Sequence, residues 1–259
     1  MARYNAYGLS DLGRRRTTNQ DTILVDTDHG VFIQADGMGG HRGGGEASGM
    51  AARIVAAILS GQTVDPDLPE TDVASLADIP SGKARAIRRA ILAADNAVTS
   101  QGGGDDESLA GMGSTIDVLT FDGDTALIGH VGDSRAYRFR DGALEQLTDD
   151  HSVMNELKRR FNLSEDEVAG YPYKNRVTHA LGHLPDRRVD IVTTKTLAGD
   201  LFLLCSDGLS GVIDDATVAD AITDHRDDLA ACATELVRLA NDSGGPDNIS
   251  VVLVELLAG

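Results

Sequence analysis

Short apolar runs bounded by glycine or aspartate recur along this chain, and two residue periods mark its elements. Runs rich in β-branched residues with a period of two read as strands. They fall at 22–25, 31–35, 115–121, 125–131, 136–140, 189–194, 201–205 and 249–255. Asp122-Gly123 and Asp141-Gly142 are hairpin turn signals, so the stretch 121–147 reads as an antiparallel meander. Helical periods occupy separate blocks. The block 46–59 sets Met50, Ile54 and Ile58 on one face, 83–99 does so with Ile87, Ile91, Ala94 and Val98, and 228–240 with Leu229, Ala233, Leu236 and Leu239. Antiparallel strands with segregated helices predict an α+β fold.

Two stretches look irregular. One is the Pro- and Asp-rich 61–82, and the other is the Gly-rich loop 101–111. The segment 151–182 is different. It holds a short helix at 153–161 and a capping-box pattern, Ser164-x-x-Glu167. A helical insert between strands is a candidate lid or substrate-contacting flap. No linker or repeat interrupts the pattern, so the expectation is a single domain over 1–259 with that flap.

Composition narrows the partners. The chain has 259 residues, 41 acidic and 23 basic side chains, and a formal net charge of −18. At 41% hydrophobic and with clear periodicity it is not a disordered chain. The acidic excess argues against nucleic-acid binding and against an anionic membrane surface. It leaves two readings: divalent cations held by clustered carboxylates, or a solvated, self-repelling surface. Cys205 and Cys232 lie in apolar stretches and read as free buried thiols of a reducing compartment. No apolar run approaches the ~20 residues that span a membrane. The first residues lack a signal-peptide core, so the expected location is the cytoplasm.

Five aspartate-centred motifs stand out: Asn19-Gln20-Asp21, Asp36-Gly37-Met38-Gly39-Gly40-His41, Gly132-Asp133-Ser134-Arg135, Ser206-Asp207-Gly208 and Gly245-Pro246-Asp247-Asn248. Each sets a carboxylate next to an expected strand end. Carboxylates, backbone carbonyls and water are the hard ligands that suit Mg²⁺ or Mn²⁺. Like charges converging without a cation would repel and raise one another's pKa. Any one Asp-Gly pair is more often an ordinary turn, but five at strand ends are not explained that way.

In this order and spacing the chain resembles the metal-dependent protein serine/threonine phosphatases of the PP2C (PPM) family in their compact bacterial form. The resemblance rests on SDLGRRRTTNQD (10–21), ADGMGGH (35–41), GMGST (111–115), GHVGDSRAY (129–137), LTDDHS (147–152), NRVTHALG (175–182), LLCSDGLS (203–210) and GGPDNIS (244–250). It implies a β-sandwich of two antiparallel sheets flanked by helices on both faces, with metals at one end. It implies hydrolysis of phosphoserine and phosphothreonine in proteins by a metal-activated water, opposing a bacterial serine/threonine kinase. The cofactors implied are two Mn²⁺ or Mg²⁺ ions, with room for a third. The implied partners are phosphoprotein substrates, and the chain is expected to act as a monomer.

Residue by residue, the resemblance makes Asp36 the bridge between two ions, with the Gly37 carbonyl on one of them. Asp207 and Asp247 complete the first ion's ligands. Asp21 holds metal-bound water or approaches the second ion. Asp133 binds a third ion with Asp207; the alternative is a turn-capping Asp paired with Arg135. Arg16 grips the substrate phosphate through its planar fork. His41 either protonates the leaving alkoxide or orients a metal water, or else it structures its loop. Met38 and His179 stand where other members carry His and Arg, and Gln20 replaces a Glu found in some. Ser114 and Thr115 are expected to tie strand backbone together, and His151 to close a turn. Because the surface repels phosphoproteins, recognition is expected to rest on Arg16, the metals and the flap cations Lys158, Arg159, Arg160, Lys174 and Arg176.

Overall fold

A computed structural model describes residues 3–39, 42–62, 82–164, 167–168, 170–173, 176–184 and 186–257. Its strands are β1 (Arg3–Asp11), β2 (Asp21–Asp26), β3 (Val31–Met38), β4 (Gly113–Ser114), β5 (Ile116–Asp122), β6 (Thr125–Val131), β7 (Arg135–Arg140), β8 (Ala143–Gln146), β9 (Asp190–Lys195), β10 (Leu201–Cys205) and β11 (Ile249–Leu257). Its helices are α1 (Gly43–Leu59), α2 (Gly82–Gly102), α3 (Val153–Phe161), α4 (Asp207–Ser210), α5 (Asp215–Asp224) and α6 (Leu229–Asp242).

The strands form two antiparallel sheets. One has the order β1-β11-β10-β7-β8, the other β2-β3-β5-β6-β9, with β4 beside β3. Strand alternation sends successive side chains to opposite faces. Phe202 and Leu204 of β10 therefore face Phe32, Leu119 and Phe121 of the other sheet, forming the layer between the sheets. Leu201, Leu203 and Cys205 point the other way, onto α5 and α6. On the second sheet Ile33, Val118 and Leu127 meet α1 and α2. The result is the expected sandwich of two antiparallel sheets with helices on both faces. Aromatic rings pin the middle layer. Tyr4 stacks on Phe121 at 4.9 Å between centroids, and Phe202 meets Phe121 edge-on at 5.6 Å.

Local chemistry sets the helix ends. Asp228 accepts from the Ala230 and Ala231 N–H groups, each at 3.0 Å, and so caps α6. Ser152 caps α3 through the Asn155 N–H at 3.3 Å, and α3 stops at Asn162 in the left-handed region. The capping box is present, with the Ser164 N–H and Oγ both on Glu167 Oε2. The segment after β8 is tied back by isolated bridges between Ser152 and Val177 and between Ser114 and Leu181.

Three elements depart from the sequence reading. β1 is polar in pattern, yet all nine of its residues pair with β11. The stretch 121–147 forms two hairpins rather than one meander, because β5 and β6 pair in one sheet while β7 and the short edge strand β8 pair in the other. The acidic stretch 214–228, where no helix is expected from the pattern, contains α5, whose Val218, Ala221 and Ile222 are buried on the first sheet. In each case pairing or packing outweighs local pattern. The irregular stretch 61–82 lies mostly outside the described residues, at 63–81. In 101–111 the chain leaves α2 and makes a 3₁₀ turn over Glu107–Leu109, capped by Asp106. Both cysteines are buried and free.

Phe202 is 1% exposed in the middle layer. Phe202→Ala is expected to cost about 3–5 kcal/mol in urea unfolding with an unchanged m-value, as for other large buried rings.

Candidate metal centre

Antiparallel order brings five strand ends to one edge of the sandwich. Asp21 opens β2 and pairs across the sheet with Asp36, near the end of β3. Asp133 follows β6, Asp207 follows β10, and Asp247 precedes β11. Together Asp36, Gly37, Asp133, Asp207 and Asp247 line one cavity of about 520 Å³, with Arg16 at its edge. Asp21 stands behind it, with Oδ2 accepting from Ser250 Oγ at 2.6 Å.

The cavity wall is built by backbone contacts. Gly37 donates its N–H to the Gln20 carbonyl at 3.2 Å, and a Cβ on Gly37 would lie 2.1 Å from the Gly44 carbonyl oxygen. Only glycine lets α1 approach β3 so closely. The Asp36 N–H donates to Thr115 Oγ1 at 2.9 Å, while Ser114 Oγ donates to the Asp36 carbonyl at 3.1 Å. Ser114 and Thr115 thus hold strand backbone, as expected from sequence.

The charges do not neutralise one another. Burial, then repulsion from Asp21, Asp207, Asp133 and Asp247, holds the Asp36 pKa well above the usual carboxylate range. Burial and neighbouring carboxylates push Asp21 up to about 6 and Asp133 up to about 7. Burial and Asp247 raise Asp207, which shares a hydrogen bond with Asp36. Asp21 Oδ1 and Asp207 Oδ1 are buried without a hydrogen-bond partner. Buried polar atoms are seldom left so, and a cation satisfies them. Among the described residues, no three Asp, Glu, His or Cys side chains close around a point to enclose an ion by themselves. Mg²⁺ and Mn²⁺ do not need that, since they keep several waters and take one or two carboxylates each. The residues present fit such ions.

Arg16 lies half-exposed at the mouth, where Nη2 donates to Asp247 Oδ2 at 2.6 Å. Asp133 does not pair with Arg135. That guanidinium makes a two-pronged contact with Asp150, at 2.9 and 2.8 Å, which leaves Asp133 to the cavity. His41 lies outside the described residues, as does Lys174 of the flap. Arg176 is exposed on the cavity rim, and Arg159 is paired with Asp149 at 3.4 Å.

Sequence reasoning gave Asn248 no role. Its Oδ1 accepts from the Gln20 N–H at 2.9 Å, and its Nδ2 donates to the Leu12 and Thr18 carbonyls at 2.9 and 3.1 Å. It clamps the loop that carries Arg16. The signal was its place beside Asp247 in a motif, but its partners lie at the other end of the chain. His179 and His183 also face the cavity. His179 Nε2 lies 3.2 Å from Asp186 Oδ1.

A four-layered sandwich with carboxylates gathered at one end fits a divalent-metal hydrolase. The pattern of the protein phosphatase 2C family matches residues 13–257. The chain belongs to that family. It is 36% identical over 252 residues to the protein phosphatase PhpP of Streptococcus pneumoniae, covering 96% of each chain. It is 32% identical over 249 residues to the serine/threonine protein phosphatase PstP of Mycobacterium tuberculosis, covering 96% of this chain and 44% of that longer protein. Among solved structures, it superposes on the M. tuberculosis PstP/Ppp phosphatase with a TM-score of 0.81 at 31% identity, covering both chains fully. The PstP catalytic domain in complex with two manganese ions matches with a TM-score of 0.79 at 30% identity, again over the whole of both chains.

The raised pKa values give a signed expectation for metal-free protein. A carboxyl with a folded pKa above its unfolded value binds more protons when folded, so its contribution to stability falls as pH rises between the two. For Asp133 that window runs from the ordinary value up to about 7. With EDTA present, Asp133→Asn is expected to be more stable than wild type near pH 7.5 and to lose that advantage near about pH 4, measured by urea unfolding.

Proposed function

We propose that this chain hydrolyses phosphoserine and phosphothreonine in proteins, with two Mn²⁺ or Mg²⁺ ions held by Asp36, the Gly37 carbonyl, Asp207 and Asp247, and Asp21 behind them. The observation that carries the reading is the cluster of mutually repelling carboxylates around one cavity, with buried orphan oxygens on Asp21 and Asp207. When bound, two such ions supply Lewis acidity and lower the pKa of water.

The chain's own groups do the rest. Arg16 has N–H donors beyond the one on Asp247, so it can take phosphate oxygens while anchored. The Asn248 clamp fixes the loop from which Arg16 reaches. Thr115 and Ser114 hold the Asp36 backbone rigid, so the carboxylates need not rearrange on binding. His41 is the group assigned to protonating the leaving alkoxide or orienting a water. Neither cysteine takes part. Burial pushes the Cys205 thiol far up and Cys232 up to about 11, so neither forms a thiolate at neutral pH.

A third ion, between Asp133 and Asp207, belongs to the same reading. Those two line a side cavity of about 140 Å³ with Asp150, Ser152 and Ser210. The chain is taken as one phosphatase domain, with 151–182 as the flap over the cavity. It is taken to act as a monomer in the cytoplasm against a serine/threonine kinase. Support for that location comes from two unpaired cysteines and from the absence, among the described residues, of a helix long and apolar enough to cross a membrane.

Mn²⁺ with a phosphothreonine peptide should release phosphate, and EDTA should abolish the release. Asp207→Ala and Asp247→Ala are expected to lose at least about a hundredfold in kcat. Full activity in either variant, or metal-independent turnover, refutes the reading. Arg16→Ala is expected to raise KM and keep Mn²⁺ binding by calorimetry; lost metal binding would make Arg16 a structural residue instead.

A further inference from the structure

His151 sits at the start of the 151–182 segment with its ring 2% exposed. Both backbone groups of Gly132 end on it. The Gly132 N–H donates to His151 Nδ1 at 3.2 Å, and the His151 N–H donates to the Gly132 carbonyl at 2.6 Å. Gly132 has φ +120°, and a Cβ there would meet Thr115 Cγ2 at 2.5 Å, so this turn accepts no other residue without strain. The next residue is Asp133. On its other side the His151 carbonyl accepts from the Thr178 N–H at 2.8 Å, and its ring meets His179 edge-on at 5.1 Å. Thr178 and His179 line the cavity, as Asp133 does. One residue therefore touches the turn of Asp133 and the flap wall opposite.

The hydrogen bonds assign the ring's proton. An N–H aimed at Nδ1 requires that nitrogen to be bare, so the proton is on Nε2. Nε2 donates to Asp190 Oδ2 at 3.1 Å, and Arg188 holds that carboxylate with two further bonds at 2.9 and 2.7 Å. Behind His151, at 4.7 Å, lies His130. Its Nδ1 faces Asp117 Oδ1 at 2.7 Å and its Nε2 faces the Asp149 carbonyl at 3.1 Å, so both nitrogens meet acceptors and the ring is cationic. Burial works against that charge, but Asp117 and the Asp149 carbonyl outweigh it and raise the His130 pKa. Burial and the His130 cation, against the opposing pull of Asp190, keep His151 below its ordinary value and so neutral.

We propose that His151 is a positioning residue that sets the Asp133 carboxylate and the 177–180 wall of the cavity together, through a neutral ring protonated on Nε2. It reaches neither substrate nor metal; it acts through Gly132 on one side and Thr178 on the other. The inference rests on the phosphatase reading for its catalytic consequence and on geometry alone for the tautomer.

Three substitutions separate its contacts. In His151→Asn, Oδ1 stands where Nδ1 stood and still accepts from Gly132. In His151→Gln the amide reaches Asp190 instead and leaves the Gly132 N–H unmet. His151→Phe keeps the ring and loses both. With a phosphothreonine peptide, Phe and Gln are expected to lower kcat by about tenfold or more, with Asn within about threefold of wild type, as for groups that orient metal ligands. Mn²⁺ calorimetry is expected to follow the same order, and to show no difference among the three variants in an Asp133→Asn background, where the carboxylate being positioned is gone. Should Phe fail to fold, the Asn-over-Gln order still decides. Equal losses in Asn and Gln, or the reverse order, would overturn the proposal. Nitrogen-15 spectra of the wild-type imidazoles near about pH 7.5 are expected to show His151 as the Nε2–H tautomer. An Nδ1–H or imidazolium form there would overturn it too. Variants that bind Mn²⁺ in this order, beside a wild type that releases no phosphate, would refute the phosphatase reading and leave the positioning role standing.

Discussion

Carboxylates held close together out of bulk water want neutralising, and that demand organises one whole end of this molecule. Asp36 shows it best. Its main chain is fixed by Ser114 and Thr115, its side chain is desolvated, and four other aspartates raise its pKa. Such a cluster opposes folding unless protons or cations occupy it. The middle layer of the sandwich supplies the packing against which that repulsion is held, with Phe32, Phe121, Phe202 and Tyr4 interlocked between the sheets. Stability and function are thus divided between the layers and their edge.

Rigidity at the edge comes from strand ends and from polar side chains that serve backbone rather than substrate. Asn248 meets three partners across the loop of Arg16, and Ser250 bridges to Asp21. A buried amide or hydroxyl satisfied in this way stiffens its surroundings, because losing one partner strands the other. Binding energy is then available for the ligand instead of for ordering the site.

The segment 151–182, proposed as the flap, is tied to this edge by polar contacts at its start and by Leu181, buried against the helices of the second sheet, at its end. Its helix α3 carries no buried residue, and its attachment runs through His151, Ser152, Val177 and Thr178. In a chain of net charge −18, Arg16 and Arg176 are the arginine or lysine side chains that line the cavity among the described residues, and under the proposed function they would steer an anionic substrate.

Much of the site was legible from sequence because its residues follow local rules. Aspartate-centred motifs at expected strand ends singled out Asp36, Asp207 and Asp247 as candidate ligands, and the family resemblance added Arg16 and the individual roles. Period-two runs and hairpin turns pointed to antiparallel strands in an α+β fold, and the family resemblance added the two-sheet sandwich. What sequence left open were choices between distant partners. Asp133 could hold an ion or pair with Arg135, and only the fold places Asp150 against that guanidinium. The polar strand β1 exists because β11 offers it nine partners, more than 230 residues away in sequence. The Gly132–His151 junction likewise joins two motifs that look independent in the chain. Periodicity and turn chemistry act over a few residues, so a sequence carries them openly; hydrogen-bond partners and desolvation depend on what the folded chain brings near, and those the tertiary structure alone decided.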